Sequence, residues 1–197
     1  MELFPQDRQS ILPYDGEVVY FGAMAADSDA WLEALLGDPN WAHDELVMFG
    51  RKVVTARKVI WYGDAGREYH YSGVTKQAVA WSPLLLEIKS WVEKETGERF
   101  NSCLLNLYHS GEEGMGWHSD DEPELGEEPV IAALSLGAER RLRFRHKSSK
   151  ETVAKDLEHG SLLVMRGKTQ QCWQHCVAKT KKVASPRVSL TFRRMVG

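Results

Sequence analysis

Cysteine is scarce in this chain: three among 197 residues, Cys103, Cys172 and Cys176. So small and odd a number excludes a disulfide framework and fits a reducing compartment. Long apolar runs are missing too, with no segment near the ~18 continuous apolar residues of a membrane span. Met1 to Asp15 lacks the basic start and apolar core of a secretory signal. The expectation is a soluble, intracellular monomer without membrane contact, cytoplasmic if bacterial. Charge of one sign is not in excess either, since 25 Lys and Arg stand against 28 Asp and Glu for a net −3. Bulk charge therefore does not announce a polyanion partner. No repeat, low-complexity tract or long linker interrupts the chain.

What is present is enough apolar residue, 43%, to build the core of one substantial domain spanning 1–197. Its charge is segregated. Acidic residues gather from Asp120 to Glu128, whereas Arg140, Arg141, Arg143, Arg145, Lys147 and Lys150 form a basic run, joined by Lys179, Lys181 and Lys182. Such runs are commonly solvated faces, but a polyanion needs only a local basic surface.

Two helices are predicted. Asp27-Ser28 caps one carrying Trp31, Leu32, Leu35 and Leu36, stopped by Gly37. Ser82-Pro83 starts a longer one whose Leu84, Leu85, Ile88, Trp91 and Val92 recur at helical spacing up to Gly97. After Phe100 the pattern turns to strands: 102–108, 130–136, 141–146, 161–165, 171–176 and 187–193. In 141–145 apolar and basic residues alternate, which places Leu142 and Phe144 inward and three guanidiniums outward. Helices followed by strands give an α+β chain whose catalytic half is a jelly roll.

The chemistry is carried by His118-Ser119-Asp120, a distant His175, and then Arg187 and Arg193. Two imidazoles and one carboxylate bind one face of a ferrous ion and leave the other face open for a cosubstrate and dioxygen. His118 and Asp120 are two apart at a strand end and project to one face. The Arg pair offers an anchor for an anionic cosubstrate. A competing reading takes Cys172, His175 and Cys176 as zinc ligands, but a zinc site wants a second ligand pair that the chain does not offer. In a strand, His175 would also face away from both cysteines, which then serve as small apolar fillers.

The segments Asn106-Leu107-Tyr108, Gly116-Trp117-His118-Ser119-Asp120-Asp121-Glu122, Phe144-Arg145-His146-Lys147, His159-Gly160-Ser161-Leu162 and Pro186-Arg187-Val188-Ser189-Leu190-Thr191-Phe192-Arg193 resemble the AlkB-type DNA-repair dioxygenases, most of all the branch acting on double-stranded DNA. The likeness runs from about Phe49 to Met195. It implies a double-stranded β-helix core at 101–197, preceded in 1–100 by helices and a nucleotide-recognition lid. It also implies an Fe(II)- and 2-oxoglutarate-dependent oxidative demethylase. Such an enzyme uses O2, converts 2-oxoglutarate to succinate and carbon dioxide, and removes an N-methyl group from 1-methyladenine or 3-methylcytosine as formaldehyde.

By the same resemblance His118, Asp120 and His175 hold the iron. Arg187 pairs with the distal carboxylate of 2-oxoglutarate, Asn106 and Tyr108 hydrogen-bond that molecule, Arg193 lies near its proximal carboxylate, and Ser189 and Thr191 share the pocket. Tyr71 and His118 sandwich the flipped base, with Tyr69, Asp121 and Glu122 near its polar edge. Met48-Phe49-Gly50 matches a finger loop in which Phe49 fills the gap left in the stack. Arg57 holds or probes the duplex, with Asp121 as a candidate partner. The partner is alkylated DNA, single- or double-stranded, or RNA.

Each of these residues has a plainer alternative. Phe49 could be a packed hairpin residue, Tyr69 and Tyr71 could be packing on one strand face, and Asp121 and Glu122 could form a solvated turn. Ser189 stands where many relatives have Asn, and Tyr71 replaces a common Phe. Both departures bear on lesion preference and not on the reaction class. Two other functions also remain: the same chemistry on a protein or small molecule, and a silent nucleic-acid-binding relative.

Overall fold

The computed structural model describes residues 9–48, 51–64, 68–71 and 74–196, and for 45–48, 51–53, 68–71 and 74–76 it describes backbone alone. Among these residues the chain runs β1 (Glu17–Ala23), α1 (Ser28–Leu36), β2 (Ala42–Met48), β3 (Arg51–Gly63), β4 (Glu68–Tyr71), β5 (Val74–Gln77), β6 (Val79–Ala80) and α2 (Pro83–Thr96). It continues through β7 (Ser102–Tyr108), β8 (Met115–His118), a 3₁₀ turn at Pro123–Leu125, β9 (Ile131–Gly137), β10 (Arg140–His146) and β11 (Thr152–Leu157). The last elements are β12 (Ser161–Arg166), α3 (Thr169–Cys172), β13 (Trp173–Val177) and β14 (Arg187–Arg193).

The strands make a larger sheet in the order β1-β12-β9-β14-β7-β3-β2, with β6 beside β3, and a smaller one in the order β11-β10-β13-β8. Every pairing is antiparallel except β3 with β6. This is the two-sheet jelly roll, and β4 and β5 form a separate hairpin.

Strands β9 and β12 of the larger sheet are covered on both faces, which is why they read as nearly unbroken apolar runs, whereas β14 alternates apolar and polar residues. On one face Val188, Leu190, Phe192, Leu105 and Leu134 are fully buried with Leu35, Leu85, Ile88 and Val92 of the helices. On the other, Leu163 and Met165 meet Leu142, Phe144 and Trp173 of the smaller sheet. Truncating Phe144 or Phe192 to Ala costs about 3–5 kcal/mol.

The helices form for local reasons. Ser82 Oγ accepts the Leu85 amide at 3.2 Å, Pro83 fits the first turn, and Gly97 closes α2 at φ +73°. Asp27 stands at the start of α1 without a side-chain cap bond, so burial of Trp31 and Leu35 carries that helix.

Two expectations differ from the structure. Residues 171–172 belong to α3, and the strand begins at Trp173. Thr169 Oγ1 donates to Arg166 O at 2.6 Å and accepts the Glu17 amide at 2.9 Å, which stabilises a local turn over an extended start. The N-terminal portion also carries more than helices. β1 pairs with β12 and β3 with β7, so the sheet crosses the division at residue 100. β3 had no readable alternation because a bulge interrupts it opposite His43–Glu45.

Candidate functional site

The inner surface between the sheets is apolar except where β14, β7 and β9 turn polar residues into it. Arg187, Ser189, Thr191 and Arg193 alternate with the core residues of β14, and Ser189 lies in register with both Asn106 and Ser135. Facing them, His118 of β8 pairs in register with His175 of β13. Neighbouring positions of paired strands share a face, and the two imidazole rings are 4.2 Å apart between centroids. Asp120 follows just beyond β8. The ligand atoms of His118, Asp120 and His175 lie within 4.8 Å of one another.

Hydrogen bonds orient this group. His118 Nδ1 is 2.9 Å from Gly116 O, an acceptor, so Nδ1 carries the proton and Nε2 keeps the lone pair, 3.6 Å from Asp120 Oδ1. Asp120 donates its amide to Gln170 Oε1 at 2.9 Å, and its Oδ2 accepts from Arg193 at 2.8 Å. Burial acts to raise the Asp120 carboxyl, but Arg193, helped by His175 and His118, brings it down to about 2. Burial and the neighbouring His118 lower His175 to about 3. Near neutral pH these two groups are thus an imidazole and a carboxylate ready to donate lone pairs. That donor set suits a ferrous ion.

Beside it a cavity of about 70 Å³ is lined by Asn106, Tyr108, Arg187, Ser189, Thr191 and Arg193. Arg187 is 2% exposed and lies 5.5 Å from the Tyr108 ring. Its one terminal nitrogen donates to Ser135 Oγ at 2.7 Å and more weakly to Ser189 Oγ at 3.4 Å. Its Nε and other terminal nitrogen have no hydrogen-bond acceptor among the described residues. Burial, the largest influence, pulls the guanidinium down to about 10. A buried cation with two unused donors calls for an anion with paired oxygens, and a carboxylate has that shape. Gly137 turns next to it at φ +88°, where a Cβ would lie 2.4 Å from Pro186 O. Only glycine allows that approach.

A second cavity of about 370 Å³ opens on the other side of the metal group, between β2, β3 and residues 115–122. That is within the ~300–1,000 Å³ range of ligand pockets. Val59, Trp61 and Leu104 give it an apolar wall, and Glu122 and Arg57 line it too. Arg57 is buried here and not on an outer surface: its Nε donates to Asn106 Oδ1 at 3.0 Å, and a terminal nitrogen is 3.8 Å from Asp44. Asp121 is instead exposed and pairs with Lys147 at 3.5 Å, so the Arg57–Asp121 pairing does not form. Arg57 shares the inward phase of Val59 and Trp61 by ordinary two-residue alternation, since β3 pairs with β7 without a register shift from Lys58 onward. Phe49 and Gly50 lie outside the described residues. Met48 ends β2, and Tyr69 and Tyr71 lie on β4, each described by backbone alone.

The cysteine-based zinc set does not come together. Cys172 lies instead near Asp15 and His146. His146 Nδ1 accepts the Ser149 amide at 3.0 Å, so its Nε2 carries the proton and is unsuited to a metal. Sequence reasoning missed Ser135, Gln170 and Asp44. Ser135 had a signal, a lone hydroxyl inside the apolar run of β9, whereas Gln170 and Asp44 had none.

A jelly roll holding two histidines and a carboxylate at its mouth defines a class of protein, and comparison with known proteins agrees. Residues 20–193 match the model of the 2OG-Fe(II) oxygenase superfamily. Human alpha-ketoglutarate-dependent dioxygenase alkB homolog 3 is 40% identical over 177 residues, 85% of this chain and 61% of that protein. Human DNA oxidative demethylase ALKBH2 is 41% identical over 157 residues, covering 76% and 60%. The Arabidopsis thaliana DNA oxidative demethylase ALKBH2 is 34% identical, covering 96% of this chain and 69% of that protein. The chain thus spans about 60% of the length of its human relatives. In fold it is similar to the structure of OsALKBH1, with a TM-score of 0.65 at 17% identity over 93% of this chain and 99% of that one. The chain belongs to the 2OG-Fe(II) oxygenase superfamily and, within it, to the AlkB type.

Proposed function

We propose that the protein is an Fe(II)- and 2-oxoglutarate-dependent dioxygenase that removes N-methyl groups from bases in DNA. The observation that carries this reading is the side-by-side placement of the His118, Asp120 and His175 donors and the buried, underused guanidinium of Arg187. Relatives named as DNA oxidative demethylases support the choice of substrate.

In this reading His118 Nε2, Asp120 and His175 hold the metal, and Arg187 anchors the far carboxylate of 2-oxoglutarate with its two unused donors. Bound together, iron, 2-oxoglutarate and O2 supply the oxidising power that hydroxylates the methyl group. The chain's own residues do the positioning. Asn106, Tyr108, Ser189 and Thr191 line the cosubstrate cavity. Arg193 keeps Asp120 ionised and fixed, and the apolar contacts of the two sheets exclude water from the inner end.

The base enters the larger cavity. A base within a duplex has to flip out, at a cost of a few kcal/mol that is lower for a damaged pair, and this favours lesions. His118 forms one wall, Tyr71 stacks on the opposite side, and Tyr69, Asp121 and Glu122 stand at the polar edge. The Met48-Phe49-Gly50 finger fills the vacated stack. The outer face of the smaller sheet suits a phosphate backbone: Arg143 and Arg145 lie over the Trp117 ring at 5.7 and 4.4 Å, while Arg141 is matched by Asp156.

The test is to incubate the protein with iron(II), ascorbate, 2-oxoglutarate and a 1-methyladenine oligonucleotide, single-stranded or duplex, and to measure repaired base and formaldehyde. Repair that requires 2-oxoglutarate is expected. Succinate formed equally with and without oligonucleotide would reject DNA as the substrate and move the search to RNA, protein or a small molecule.

A further inference from the structure

Asn106 borders both cavities, and Arg57 borders the base cavity. Their one hydrogen bond fixes more than it first shows. An Arg Nε–H can only donate, so the atom of Asn106 facing it at 3.0 Å has to be the amide oxygen. The Asn106 NH2 is then turned away from Arg57, and it has no hydrogen-bond partner among the described residues. Asn106 is 7% exposed and in register with Ser189 of β14 on one side and Val59 of β3 on the other. Its free donor belongs to the same inner surface as the unused donors of Arg187.

We infer that Arg57 is a positioning residue for the cosubstrate: it locks the Asn106 amide so that the NH2, and not the oxygen, is offered to an anionic ligand. Without that lock the amide can turn its oxygen toward a carboxylate, which repels it. Arg57 stands two residues before Val59, the register partner of Asn106, and so reaches it diagonally across β3 and β7, while Asp44, opposite the register shift, lies beside the guanidinium at 3.8 Å. Arg57 also walls the base cavity, so one side chain touches the substrate space and governs a donor in the cosubstrate space.

This inference rests on the proposed reading of Asn106 as a 2-oxoglutarate donor, and its test separates the two. The dissociation constant of 2-oxoglutarate is measured by calorimetry on anaerobic Mn(II)-loaded protein for wild type, Arg57→Met, Asn106→Ala and the double variant. Melting temperatures are recorded alongside. Met keeps the length of the Arg stem and removes the donor. Arg57→Met is expected to weaken 2-oxoglutarate roughly three- to tenfold, the worth of one hydrogen bond, and to have no further effect once Asn106 is Ala. The same weakening in both backgrounds overturns the inference, because Arg57 then acts by its charge or through general packing. An unchanged constant overturns it also. Wild-type protein that fails to bind 2-oxoglutarate at all overturns the proposed function itself.

Discussion

Arg193 and Asp120 form an ion pair at 2.8 Å with side-chain exposures of 8% and 5%, and the other oxygen of the same carboxylate lies 3.6 Å from His118 Nε2. One arginine thereby sets the rotamer and the charge of a residue in the metal group before any metal arrives. Its removal bears on stability and on metal affinity together. Arg193→Met leaves a buried carboxylate without its main counter-charge, and losing one partner of a buried pair costs about 3–5 kcal/mol. Urea unfolding of the metal-free protein is the check. A loss below about 1 kcal/mol would show that the pair does not hold this end of β14.

Asp120→Asn separates the ligand from the pair. The amide oxygen can still accept from Arg193, so the fold should persist with a far smaller stability loss than Arg193→Met. A neutral amide is a poor iron ligand, and metal affinity and turnover should both collapse. Iron binding within about twofold of wild type would remove Asp120 from the ligand set.

Much of this was legible in the sequence, for identifiable reasons. β14 was read with its true ends because Arg, Ser, Thr and Arg alternate with Val, Leu and Phe, and the alternation survives in the fold as one polar and one apolar face. α2 was read because Ser82, Pro83 and Gly97 act locally. The Arg57–Asp121 pairing was misread because residue type does not encode which side chains meet across strands, here Asn106 of β7 and Asp44 of β2. β1 and β3 went unread for a related reason. They gain their strand character from partners far away in the chain, β12 and β7, and not from their own periodicity.

Arg187→Met should show a divided outcome. Burial makes the charged guanidinium unfavourable and leaves two donors unused, so the unliganded protein should be no less stable, or slightly more stable, without it. Affinity for 2-oxoglutarate should fall by about a hundredfold, as expected for the loss of a two-point, charge-assisted bond. Thermal melts with and without 2-oxoglutarate report both. Wild type should be stabilised by about 2.7 kcal/mol at a hundred times its dissociation constant, and the variant should not respond at that concentration.

Phe49→Ala should discriminate between substrates. If the finger fills the gap left by a flipped base, its loss removes stacking that only a duplex needs, worth about 1–3 kcal/mol. Duplex repair should therefore drop about tenfold or more while single-strand repair stays within about twofold. Equal losses on the two substrates would assign Phe49 to packing.

Glu93 tests the frame that supports the site. It is 8% exposed at the end of α2, accepts the Phe100 amide at 2.8 Å and Arg99 at 2.8 Å, and lies 3.2 Å from Lys89, so it ties the helix to the start of β7. Burial acts to raise its carboxyl, but the Phe100 amide and the two cations outweigh burial and hold it below its ordinary value of 4.5. A carboxyl lowered on folding stabilises the native state above its unfolded value, and that stability is lost as pH falls through the lower, folded value. Wild type should therefore lose stability steadily below pH 4.5. Glu93→Gln should start about 1–3 kcal/mol less stable at neutral pH, since the Phe100 amide and Arg99 lose a charged acceptor. Its unfolding free energy should also change less between pH 4.5 and 3 than that of wild type. Parallel pH profiles for the two proteins would show that the carboxylate's charge contributes nothing to this junction.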